Sequence, residues 1–380
     1  MNKVVGDDKR TEDISNEDVS SLALSEDLEG LDKTFDPSLD LKSEQSFETE
    51  IDRHAQRFYG QGKLLLSGEY FVLDGAQALA LPTKVGQSLH VKYSPSFEPV
   101  LYWKSFDVRG RLWLEARFEF WRFNCLDENP SSEVLMLQNV LRQVRKQNSH
   151  FLRDEVDVHV ETHLGFPLDW GLGSSSTFIY NVAQWAYISP FELLFNTYGG
   201  SGYDIACAQS QGPILYSKHN ADVNWQPVMF EPPFKNNLYF VYLGKKQNSR
   251  TAVEYYKSIE TEHKSEIVER IGKITQRLTI VTTLEEFERL ILEHENIISQ
   301  NLDLPRAKTL YFDDFWGEVK SLGAWGGDFV MVTSQKSEGE TKAYFNQKGF
   351  KVCLSYDELI LDSSESSVEK TYGEGFNNVH

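Results

Sequence analysis

The run Pro167-Leu-Asp-Trp-Gly-Leu-Gly-Ser-Ser-Ser176 stands between two patterned segments. Glu155-Val-Asp-Val-His-Val-Glu161 alternates apolar and polar residues, and Thr177 to Tyr187 carries apolar residues at helical spacing. A glycine and serine loop that opens a helix is suited to hold an oxyanion. The first backbone N–H groups of a helix have no intrahelical partner and lie at the positive end of its dipole. Gly171 and Gly173 have no β-carbon to keep an anion away, and Ser174, Ser175 and Ser176 add hydroxyls that can bond a phosphate or a phosphate-bound metal ion. The same residues also make an ordinary helix cap. Two familiar phosphate motifs are excluded: no lysine closes the run as a Walker loop requires, and the third glycine of a dinucleotide fingerprint is missing.

Two further segments flank this loop in order. Gly62-Lys-Leu-Leu-Leu-Ser-Gly-Glu-Tyr-Phe-Val-Leu-Asp-Gly75 precedes it, and Gly323-Ala-Trp-Gly-Gly-Asp-Phe329 follows it. Together the three resemble the ordered motifs of the GHMP kinases, the superfamily of galactokinase, homoserine kinase, mevalonate kinase and phosphomevalonate kinase. The middle motif matches closely. The first usually reads Ala-Pro-Gly-Lys and here reads Gly60-Gln-Gly-Lys63, and the glycine run of the third is interrupted by Trp325 and Asp328. The resemblance spans residues 58 to about 334. It implies transfer of the γ-phosphate of ATP, with Mg2+, to a small anionic metabolite, phosphomevalonate first and mevalonate second. A non-catalytic relative that binds nucleotide or metabolite is the alternative from another class.

A small-molecule kinase must neutralise the β- and γ-phosphates, hold the acceptor oxygen in line and help remove its proton. The resemblance assigns Gly171, Leu172, Gly173, Ser174, Ser175 and Ser176 to the nucleotide. Gly199-Gly-Ser-Gly-Tyr-Asp204-Ile-Ala-Cys-Ala208 is similar to the Ser-Gly-x-Asp segment of mevalonate and phosphomevalonate kinases, which makes Asp204 the expected general base or orienter of the acceptor hydroxyl, with Ser201 and Gly202 beside the substrate. An ionised aspartate is a weak base, so the acceptor proton must become acidic as the phosphorus–oxygen bond forms. A turn aspartate bonded to its own backbone is the competing reading.

By the same resemblance Lys63 is the catalytic partner of Asp204 and offsets charge on the γ-oxygens. Glu69 and Tyr70 stand at the substrate end of the first motif, where Gly-Glu-Tyr is closer to phosphomevalonate kinases than to the Gly-Glu-His of many mevalonate kinases. Ser174 or Ser175 is the implied metal ligand and Glu192 a further one, although Pro190-Phe-Glu192 reads equally as an exposed helix start. The segment Leu243-Gly-Lys-Lys-Gln-Asn-Ser-Arg-Thr251 places Lys245, Lys246 and Arg250 where a phosphate already on the substrate could be held; a solvated charge run is the alternative. Gly326, in the third motif, allows backbone to approach the substrate.

The elements that must carry these residues follow from periodicity. Strands are expected at Phe71–Leu81, Gln87–Tyr93 and Trp113–Phe123, a helix at Ser131–Gln147, then the strand, loop and helix described above. A strand pair at Val228–Phe230 and Leu238–Leu243 precedes a helical stretch from Thr251 to about Asn301, and strands return at Phe329–Thr333 and Lys351–Leu354. This order is α+β rather than doubly wound. A boundary near Lys245 divides an ATP-binding domain, 53–244, from a C-terminal domain, 245–362. The resemblance implies a ribosomal-S5-like N-terminal domain, a ferredoxin-like C-terminal domain and an active site in the cleft between them.

Residues 1–52 are acidic and poor in aromatics, which predicts a disordered tail, and 363–380 reads as a flexible one. A net charge of −19 argues against nucleic acid as a partner, because that surface needs clustered lysine and arginine. No apolar run reaches the roughly 20 residues of a membrane helix, and the acidic start lacks the pattern of a secretory signal. The expected setting is the cytoplasm, without a membrane partner, as a monomer or homodimer. Three widely spaced cysteines, Cys125, Cys207 and Cys353, fit reduced thiols.

Overall fold

In the computed structural model the described residues are 41–48, 55–153, 156–220, 222–245, 247 and 249–362, and all of them belong to one compact unit. Most of the expected acidic tail and all of 363–380 lie outside them. Residues 41–48 of the expected tail are among the described ones. Helix α1 (Glu44–Glu48) is ordered against the first sheet, with the Lys42 N–H donating to Gly165 O at 3.1 Å and Ser43 bridging Val85. Backbone pairing, which charge composition does not report, holds this piece in place.

The first sheet is built on β1 (Gln56–Ser67) and β2 (Ala78–Pro95), which run antiparallel. The remaining strands are β3 (Val100–Phe106), β4 (Leu112–Glu119), β5 (Val156–Leu164), β6 (Ile214–His219) and β7 (Asp222–Pro227), in the order β4-β3-β5-β2-β6-β7, with β1 added on β2. The strand expected from Phe71 begins instead as a 3-10 turn, Phe71–Asp74, ended by Gly75 at φ 98°, and the extended chain starts only at Ala78. The strand expected at Val228–Phe230 is not formed by those residues: β7 ends at Pro227, and the Val228 N–H adds one further bond, to Pro213 O at 2.9 Å.

Helices cover one face of this sheet. Helix α2 (Ser132–Gln147) is capped by the Ser131 hydroxyl, carries Glu133 in its first turn and Arg145 and Lys146 in its last, and buries Val134, Leu137, Val140, Leu141 and Val144. With α3 (Ser174–Ala186), α4 (Pro190–Phe195) and α5 (Tyr203–Gln209) it packs on a core that includes Leu89, Trp103, Val158, Val160, Ile179 and Val182.

The second sheet begins with β8 (Leu238–Tyr242), ahead of the boundary expected at Lys245. Every residue of β8 is buried because it is an interior strand, paired with neighbours on both sides. There follow α6 (Ser249–Ser258), α7 (Lys264–Leu278), α8 (Leu284–Leu302) and α9 (Ala307–Tyr311), then β9 (Val319–Ser321), β10 (Phe329–Thr333), α10 (Glu338–Gln347), β11 (Cys353–Ser355) and α11 (Tyr356–Leu359). The order β11-β8-β10-β9, antiparallel throughout, with helices after the first and third strands, is the ferredoxin-like plan. The single helical stretch expected from Thr251 is three helices, the third started by the Thr283 hydroxyl, which accepts from Glu286 N–H.

Candidate active site

Strand β1 delivers Lys63 to the glycine loop through two bonds. Its backbone N–H donates to Leu172 O at 2.9 Å, and its Nζ donates to Gly171 O at 2.9 Å. Gly62 lies so close to Thr83, Val85 and Leu172 that a β-carbon there would be 2.4 Å from Thr83 Oγ1 and 3.1 Å from Leu172 O. Gly173 caps α3 in the left-handed region at φ 90°, and a β-carbon on it would meet Lys63 Cγ at 3.0 Å. Glycine is thus required for the strand, the loop and the lysine stem to share this space.

The Ser176 and Thr177 N–H groups both turn back to Gly173 O. Those of Ser174 and Ser175 are left at the open, positive end of α3. Ser174 is half-buried and Ser175 exposed, so their hydroxyls remain near that end. Ser176 differs from the expectation. It is buried, and its hydroxyl is committed to Asp204 Oδ2 at 2.5 Å, the length of a charge-assisted bond.

Asp204 is half-buried in the first turn of α5, where Ile205 N–H donates to its Oδ1 at 3.1 Å. Gly202, left-handed at φ 95°, starts that helix, and the Tyr216 hydroxyl donates to Ser201 O at 2.5 Å to hold the approach. The Tyr203 ring lies 5.7 Å from Lys63 Nζ. Burial alone would lower the Lys63 pKa, but the Tyr203 hydroxyl and the Asp328 and Asp204 carboxylates outweigh it and hold it up at about 12. Lys63 is therefore a cation at any physiological pH.

Asp328, read from the sequence as an interruption of a glycine run, reaches the same place from the second sheet. Gly171, at φ 65°, faces it so closely that a β-carbon there would lie 2.3 Å from the Asp328 carboxylate. The Gln247 N–H donates to Asp328 Oδ1 at 3.1 Å, and the Asp328 N–H donates to Lys245 O at 2.6 Å. The basic segment after β8 is thereby laid along the third motif. Lys245 and Arg250 are exposed on it, Lys246 lies outside the described residues, and Gly326 lies against the Gln247 side chain. Trp170 closes the loop from the other side, with its ring edge-on to Phe329 at 5.3 Å, while the Tyr242 hydroxyl donates to Asp169.

Glu69 is not where the sequence placed it. Its carboxylate is 1% exposed, 2.5 Å from Lys320 Nζ of β9 and 3.3 Å from His294 Nε2 of α8. Lys320 also lies 3.4 Å from Glu295 Oε1, and Glu295 accepts from the Ser321 N–H and hydroxyl. All four side chains are inaccessible to solvent, so Glu69 joins the first motif to the second sheet and does not face a substrate. Burial raises the Glu69 pKa, with Lys320 opposing, and pushes Glu295 up to about 7. It drives His294 well down, and the neutral ring accepts the Gly68 N–H on Nε2 at 3.0 Å. Nothing in the sequence marked Lys320 or His294: the first sits in a three-residue strand, and the second on the apolar face of an amphipathic helix.

Tyr70 is 8% exposed, stacked on Tyr256 at 5.7 Å, and its hydroxyl accepts the Trp325 N–H at 3.1 Å. It connects the first motif to the third. Glu192 is not brought to the loop. It is exposed in the first turn of α4 and lines a surface cavity of ≈ 360 Å³ with Val223 and Trp225 of the edge strand. Its N–H is taken by the Ser189 cap, so it serves the start of a helix whose buried side, Leu193 and Leu194, faces the core. Among the described residues no group of three His, Cys, Asp or Glu side chains could hold a metal.

No protein-family model matches the chain, and no curated protein matches it in sequence. Solved structures do. Mevalonate kinase of Methanococcus jannaschii is similar over 80% of this chain and 99% of its own, at 16% identity and a TM-score of 0.59. Phosphomevalonate kinase of Streptococcus pneumoniae matches over 80% of this chain and 100% of its own, at 14% identity and 0.58. Galactokinase of Lactococcus lactis, complexed with galactose, matches over 81% and 92%, at 12% identity and 0.51. This chain therefore has the fold of these kinase structures.

Proposed function

We propose that the protein is an ATP-dependent kinase that transfers the γ-phosphate to a small anionic metabolite, with phosphomevalonate the first candidate and mevalonate the second. The observation that carries this is the meeting of Lys63, the open end of α3 and Asp204, which come from three separate elements. The Ser174 and Ser175 N–H groups and the Gly171–Gly173 backbone would hold phosphate oxygens. Lys63, protonated throughout, would offset the charge that gathers on the transferring group. Asp204, fixed by the Ser176 hydroxyl and the Ile205 N–H, would take the acceptor proton late, as bond formation makes that proton acidic.

Magnesium, when bound, would neutralise β- and γ-phosphate charge and keep them in register. The side chains fit an ion held mainly by the nucleotide, since the loop offers the Ser174 and Ser175 hydroxyls and no cage of carboxylates. The choice of a phosphorylated acceptor rests on the exposed cations Lys245 and Arg250. It is supported by the likeness, at 15% identity and a TM-score of 0.56, to the Streptococcus pneumoniae phosphomevalonate kinase solved with phosphomevalonate and AMPPNP. The reading needs neither nucleic acid nor membrane, and among the described residues no helix is long and apolar enough to cross one.

The test is ADP release from MgATP with mevalonate, phosphomevalonate, homoserine and galactose, run beside Asp204→Asn. Turnover on phosphomevalonate that vanishes in the variant, with ATP binding kept, is the expected result. Nucleotide binding without turnover on any acceptor would replace this reading with that of a nucleotide-binding sensor.

A further inference from the structure

Asp328 holds a backbone conformation that costs an aspartate more than it would cost a glycine. Its φ is 51°, in the left-handed region, directly after Gly326 and Gly327. A glycine would adopt this turn without strain, so the side chain must return something for it. The contacts of Asp328 say what. Its main chain is bonded on both sides to the segment after β8, through Asp328 N–H to Lys245 O and Leu243 N–H to Asp328 O at 2.8 Å. Its carboxylate accepts the Gln247 N–H and faces Gly171, whose carbonyl holds Lys63 Nζ. Gly327 lets the segment lie close, since a β-carbon there would be 2.5 Å from Gln247 Cγ and 2.6 Å from Lys245 O.

We propose that Asp328 is a positioning residue that clamps Leu243, Lys245 and Gln247, at the start of the basic segment, against the glycine loop, so that an anion on the acceptor and the phosphoryl group meet at a set separation. The proposal rests on the kinase reading for its kinetic consequence and on the bonds alone for the clamp. In this role Asp328 acts through the Gln247 amide and through Gly171, beside the charge it places near Lys63.

The experiment compares wild type, Asp328→Gly and Asp328→Asn in the full-length protein. Glycine removes the carboxylate and relieves the backbone; asparagine keeps an oxygen that can accept the Gln247 N–H but removes the charge. Hydrogen exchange of peptides covering 243–251 is measured first, then kcat and KM for phosphomevalonate with MgATP. The clamp predicts faster exchange in Asp328→Gly, a rise in phosphomevalonate KM of about tenfold or more with kcat little changed, and recovery of both in Asp328→Asn. Unchanged exchange and KM in Asp328→Gly would overturn it. So would equal damage in both variants with kcat lowered and the alkaline limb of its pH profile moved down, which would make the charge beside Lys63 the whole role. If wild type phosphorylates nothing, the kinase reading falls, and the exchange data decide the clamp by themselves.

Discussion

Replacing Lys320 with methionine tests how the first motif is joined to the second sheet. The ammonium is wholly buried, 2.5 Å from Glu69, 3.4 Å from Glu295 and within 2.7 Å of Ser321 O. Methionine keeps the stem and removes the charge, which leaves two buried carboxylates without their nearest cation. Breaking a buried pair in this way costs about 3–5 kcal/mol. At roughly 2 °C per kcal/mol for a large domain, Tm should fall by about 6–10 °C. Glu69→Gln in the same background removes one of the stranded charges, so the double variant should lose less than the sum of the singles, by about 1–3 kcal/mol.

The pH dependence has a definite sign. Burial raises the Glu295 pKa from 4.5 to about 7 even with Lys320 present, and removing Lys320 raises it further. A carboxylate whose pKa is higher folded than unfolded binds protons more tightly when folded, so its contribution is full below pH 4.5 and is lost as pH rises through the folded value. Thermal melts followed by circular dichroism at pH 6, 7 and 8 should therefore show the Lys320→Met deficit growing with pH. A variant that melts within about 1 °C of wild type at pH 8, or a deficit larger at pH 6, would refute the reasoning.

Other perturbations bear on the loop. Gly171→Ala puts a β-carbon 2.3 Å from the Asp328 carboxylate at φ 65°; it should lower both stability and nucleotide binding, and calorimetry with ATP should show partial recovery when Asp328→Gly is added. Ser176→Ala removes the 2.5 Å bond to Asp204 and should cut kcat by roughly 10- to 100-fold with little change in the KM for ATP, the loss expected for a hydrogen bond to a charged group. An Asp204→Asn variant that retained wild-type turnover in the ADP-release assay would remove that residue from the mechanism.

What could be read from the chain alone was local. Glycine at 171 and 173, serine at 174 to 176 and the flanking periodicities specify a strand, a turn and a helix start within a few residues of one another, and turn chemistry of that range is written in neighbouring residue types. Lys63 and Asp204 were singled out through the family resemblance, each lying inside its own compact motif. The helical stretch after Thr251 was visible but its two breaks were not, because periodicity continues across short turns. Glu69 was misplaced and Lys320, His294 and Asp328 were missed because their environments are made by pairing across 200 residues or more or by the approach of one sheet to the other. A glutamate after a glycine looks the same in sequence whether it meets a substrate or a buried lysine. Only the packing of α8 and β9 onto the first motif takes the water away from Glu69, and only the placing of β10 beside the loop turns an aspartate in a glycine run into a fastening.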